Sequence, residues 1–201
     1  MYGYIIGKNS PIPIKFIINY VAQATMEPFG WYSFKNKEDS LENLERETIE
    51  KAIKEGILIP SNENEMIYLI YMNLFLGGLY TQEQFKSMVN EQGKIIRNHP
   101  DYIKFLKIAK NCFPLYSINK NSVPTLNIYG GKDIGVSVVQ CMHLIEKLKE
   151  NNVPHQLIYM RYGGHDLDDN KTENGLKAMR KIHFIFYLMP KNILINNSFL
   201  I

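Results

Sequence analysis

Asp133 and His165 are the two residues of this chain whose types and places suit acid–base chemistry. An ionised carboxylate only accepts hydrogen bonds. Beside a histidine it accepts a hydrogen bond from Nδ1–H, fixes the tautomer and leaves Nε2 to accept a proton from a reacting group. The same carboxylate then supports the imidazolium that forms. Each residue also has a plainer use: an aspartate after a strand often forms a turn or caps a helix, and a lone histidine often meets only water. What links the two is the intervening sequence, residues 123–168, VPTLNIYGGKDIGVSVVQCMHLIEKLKENNVPHQLIYMRYGGHDLD.

Pro124 to Tyr129 is a short apolar run closed by Gly130 and Gly131, the pattern of a buried strand meeting a turn. Asp133 lies just past the carboxyl end of that strand. From Val136 the period becomes helical, with Val138, Val139, Met142, Leu144, Ile145 and Leu148 recurring until Asn151 and Asn152 close the helix. His155 to Met160 gives a second strand, followed by Tyr162, Gly163, Gly164 and His165. A strand, helix, strand unit of this kind is parallel, so both carboxyl ends fall on one edge of the sheet. Open α/β sheets place their chemistry on that edge.

Tyr129-Gly130-Gly131-Lys132-Asp133 is similar to the G-x-x-D acid turn of α/β-hydrolases of the esterase, lipase and peptidase type. Gly163-Gly164-His165-Asp166 resembles the G-H-[DE] histidine loop of the same family, and the acid precedes the histidine as it does there. The resemblance covers the carboxyl-terminal half of such an enzyme. It implies an α/β fold with an incomplete parallel sheet of about three strands, Asp133 as triad acid and His165 as general base. It implies a carboxylic ester or acyl compound as substrate, with no cofactor and no metal. Residues 1–38 and 118–201 would form a partial core, and residues 39–117 an all-helical cap over the substrate pocket; an unrelated helical subdomain is the plainer alternative. Asp166, Asp168 and Asp169 read as loop or helix-start residues, and Lys132 as facing solvent. The family's nucleophile is a serine in G-x-S-x-G, upstream of the acid. No serine here carries both glycines, and no HGG segment supplies an oxyanion hole. The chain therefore reads as the second half of a hydrolase, without ester hydrolysis of its own. The alternative is a non-catalytic module of this type that binds a ligand or a protein.

Met1 to Ile6 reads as the last turns of a helix. The run that starts at Ile14 and ends at Val21, IKFIINYV, reads as an interior strand. Trp31 and Tyr32 follow in a loop, where they would line a substrate pocket or simply pack. Residues 39–117 hold no convincing strand. Asp39 or Ser40 would cap a helix that stops at Gly56, and a buried apolar helix is expected over 64–77. Thr81 and Gln84 form a capping box that opens a helix to about Arg97, and Pro100 and Asp101 open another. Met66, Met72, Phe75 and Phe85 are pocket or core residues. Residues 171–188 suit a last amphipathic helix, and the tail after it is unpatterned.

The 201 residues, 45% apolar and 12% aromatic, can bury a core. The formal charge of +3, with no basic run interleaved with aromatics, points away from nucleic acid. No apolar run reaches the roughly 20 residues that a bilayer needs, so no membrane partner is expected. Cys112 and Cys141 are too few for a disulfide framework, and the N-terminus lacks the pattern of a signal peptide; both suit the cytoplasm. A sheet of three strands would leave the edge from Ile14 to Val21 open, a route to a homo-oligomer.

Overall fold

The computed structural model describes residues 14, 16–20, 24–25, 32–60, 65–75, 77–165 and 180. Trp31, the first six residues, the tail and all of the expected helix over 171–188 except Arg180, which is helical, lie outside them. In chain order the elements are β1 (Ile17–Tyr20), β2 (Tyr32–Phe34), α1 (Arg46–Lys54), β3 (Leu58–Pro60), α2 (Met66–Phe75) and α3 (Gln82–Ser87). They continue with α4 (Pro100–Cys112), α5 (Pro114–Ser117), β4 (Thr125–Gly130), α6 (Val138–Glu150) and β5 (His155–Met160). The class is α/β.

The main sheet runs β1-β4-β5, all parallel, with Ile17 opposite Thr125 and Thr125 opposite His155. All of β4 is buried, as a central parallel strand requires. Its register is marked by polar side chains. Asn19 lies opposite Asn127, and its Nδ2 donates to Asn127 Oδ1 at 3.0 Å and to the Tyr129 hydroxyl at 3.2 Å. Tyr129 shares that face because side chains alternate along a strand.

Helix α6 starts where the Ser137 side chain accepts from Val139 N, and the chain leaves it through Asn152 at φ 54°. One side of α6, with Cys141, Leu144, Ile145 and Leu148, packs with Tyr129 of β4. Val138, Val139 and Met142 join Tyr159 of β5 in a second cluster with Leu41, Ile49, Ala52 and Leu58. A third cluster, around Leu69, Phe85, Phe105 and Phe113, is built from α2 to α4. Met72 and Phe85 are buried there and Met66 packs against it, so these three serve as core.

The stretch expected to hold no strand contains one. Tyr32–Phe34 and Leu58–Pro60 pair antiparallel, and Lys35 N donates to Ile57 O at 2.8 Å. Gly56, at φ 70°, ends α1 and turns the chain back; Leu58 then points inward while Ile59 stays exposed, so the short strand has two faces. Residues 39–117 are thus not all-helical, and Tyr32 lies in a strand rather than a loop. Two helices are also shorter than expected. Helix α1 begins at Arg46, not near Leu41, and Ser40 Oγ accepts from Arg161 Nε at 3.3 Å instead of capping a helix. The capping box of Thr81 and Gln84 forms, but α3 stops after Ser87. Asn90 Oδ1 accepts from Gln92 N and Lys94 N, Gly93 adopts φ 72°, and the turn pairs Val89 with Ile95. No helix of the described residues is long and apolar enough to cross a membrane.

Candidate active site

β4 and β5 are direct neighbours, and the loops that follow them are joined at their carboxyl ends. Gly131 N donates to Met160 O at 2.7 Å and Lys132 N to Gly163 O at 2.9 Å. Glycine permits this approach. A Cβ on Gly130 would stand 2.3 Å from Gly163 O, and one on Gly131 2.3 Å from Arg161 O, both closer than real Cβ contacts.

The closed loops bring the acid to the base. Asp133 Oδ1 accepts from Gly135 N and Val136 N, each at 2.7 Å, and the two Asp133 oxygens lie 3.1 and 3.0 Å from His165 Nδ1. The Asp133 side chain is fully buried, whereas that of His165 is 54% exposed. Since the carboxylate only accepts, Nδ1 carries the proton of the neutral ring and Nε2 is left as acceptor. A carboxylate held by two backbone N–H groups beside a half-exposed imidazole has the geometry that acid–base chemistry asks of such a pair. Gly135 sits against the pair: a Cβ there would lie 3.1 Å from His165 Nδ1.

The other candidates fall elsewhere. Tyr32 is half-buried against the cluster of Leu41, Ile49 and Leu58. Ser137, the serine nearest the acid in the chain, is buried and caps α6. Burial pushes the Cys141 thiol well above its ordinary pKa, which keeps it protonated and unreactive. Among the described residues no cluster of His, Cys, Asp and Glu could hold a metal ion. A groove of about 350 Å³ beside α5 and α6, lined by Leu115, Tyr116, His143, Glu146, Lys147 and Glu150, includes neither Asp133 nor His165.

Four residues gain a role that their sequence positions did not signal. Gln140 is buried in α6 and its Oε1 accepts from Ala24 N and Thr25 N at 3.1 and 3.2 Å, which ties the chain beyond β1 to this helix. Lys132, expected to face solvent, lies with Arg161 around the ring of Tyr162. The partners of Gln140 are more than a hundred residues away, so no local pattern marks it; for Arg161 and Tyr162 the only signal was their place just before the histidine loop. No family model, curated protein or solved structure matches the chain.

Proposed function

We propose that this chain carries the acid and the base of an α/β-hydrolase that cleaves carboxylic esters, with Asp133 orienting His165. The observation that carries the proposal is the 3.0 Å contact between a buried carboxylate and a half-exposed imidazole at the carboxyl ends of adjacent parallel strands. In such an enzyme Nε2 takes the proton of a serine hydroxyl as that oxygen attacks the ester carbonyl, and returns it to the departing alcohol. Water, activated by the same nitrogen, then cleaves the acyl-enzyme. No serine of these 201 residues sits in G-x-S-x-G, so on this reading the nucleophile belongs to a further segment and the chain alone does not turn over esters. The free thiols of Cys112 and Cys141 fit a cytoplasmic location.

The test begins with the nucleotide sequence upstream of Met1, translated in three frames. A strand followed by G-x-S-x-G, with HGG before it, is the expected finding. The extended chain should then hydrolyse p-nitrophenyl esters, and Asp133→Asn should lower kcat by about four orders of magnitude and His165→Ala by about six. An extended chain whose turnover ignores both substitutions would sink the proposal. The absence of a glycine-flanked serine from the chain favours a second reading, a non-catalytic module that binds a ligand or a protein. It predicts saturable binding without turnover, whatever segment is added.

A further inference from the structure

The ring of Tyr162, 43% exposed, has Lys132 Nζ at 5.3 Å and the Arg161 guanidinium carbon at 4.9 Å from its centre. An aromatic face attracts a cation through its quadrupole. Two cations this close to one ring lie within about one Debye length of each other, ~10 Å at 0.1 M salt, so salt screens their repulsion only in part. Among the described residues carboxylates answer little of this charge. Arg161 meets Glu42 at 3.7 Å, but the Glu42 side chain is 84% exposed, and such surface pairs contribute little. Among the described residues no carboxylate lies within ion-pair distance of Lys132. Asp133, its neighbour in the chain, is engaged by His165 and two backbone N–H groups. Of the five guanidinium N–H donors of Arg161, Nε serves Ser40 Oγ and one terminal nitrogen faces Glu42, which among the described residues leaves donors to spare.

The backbone under this cluster is fixed. Lys132 N and Gly131 N are bonded to Gly163 O and Met160 O, so a ligand meets a loop backbone already in place. Ile134, 73% exposed on the same turn as Lys132, adds apolar surface. We propose that Lys132 and Arg161, held beside the Tyr162 ring, form a binding site for the oxyanion group of a small molecule, a carboxylate or a phosphate. The site uses residues that take no part in the acid–base pair, so it holds whether or not that pair does chemistry.

The ¹⁵N-labelled chain is titrated with benzoate, with phenyl phosphate and with neutral benzamide, at an ionic strength held constant with sodium chloride. Saturable shifts of the Lys132 and Gly163 amide signals are expected with one or both anions and not with benzamide. The anion that saturates first assigns the class. Lys132→Gln should weaken binding about tenfold or more, the loss of one hydrogen bond to a charged group, with the rest of the spectrum unchanged. Lys132→Arg should retain it. Shifts that rise linearly without saturating, that benzamide reproduces, or that persist unchanged in Lys132→Gln and Arg161→Gln would overturn the site.

Discussion

A buried carboxylate is tolerable only when its lone pairs are used, and Asp133 spends them on Gly135 N, Val136 N and His165 Nδ1. The glycines beside it make that possible. In Gly131→Ala the new methyl would stand 2.3 Å from the Arg161 carbonyl oxygen, a backbone atom that cannot swing aside. We expect a loss of about 1–3 kcal/mol in urea unfolding, the usual cost of overpacking, together with a displaced His165 ring signal. A variant as stable as the parent would mean that the two loops are not joined as described. The thiols give a second prediction at this scale. Burial raises the Cys141 pKa, so the thiolate that alkylating reagents need is scarce, while Cys112 is partly exposed. Iodoacetamide followed by peptide mapping should find Cys112 modified in the native chain and Cys141 only after unfolding. Asp133 and His165 were legible in the sequence because each follows a glycine turn at the end of a strand. Lys132 was read only as a surface lysine, since its ring partner lies thirty positions on and is near only in the fold.

At the level of elements, β4, α6 and β5 were legible because apolar period and turn residues agree over the whole stretch. β3 was not: the three residues between Gly56 and Pro60 are too few for alternation to show, and the strand exists because β2 pairs with it. The same limit hid the end of α3, where an asparagine and a glycine outweigh residues that could have continued the helix. The alignment of β1 on β4 is open to a direct test. Asn19→Leu would leave Asn127 Oδ1 without its buried donor and should cost about 1–3 kcal/mol in urea unfolding. Asn19→Leu with Asn127→Leu removes donor and acceptor together and should recover part of that loss, because the penalty falls on the group left unpaired. Additive losses would show that the contact between them carries no stability.

On the scale of the whole molecule, the described residues leave β1 with one strand neighbour, β4, on a sheet whose central strand is fully buried. A parallel strand with an apolar sequence is an edge that other chains can extend, and nothing in IKFIINYV guards it except Lys15. Our proposal for the chain as it stands is therefore association through β1, either with a second copy or with the segment that carries the nucleophile. Sedimentation of the 201-residue chain should show a mass that rises with concentration. Ile17→Lys, which sets a charge in the middle of that strand run, should shift the chain toward monomer. A chain that stays monomeric across the range and melts sharply would remove the edge from consideration. It would also weaken the hydrolase proposal, because a nucleophile strand with no place to pair beside β1 could not bring a serine to His165. The acid–base pair and the sheet edge are thus linked: the chemistry assigned to one depends on what covers the other.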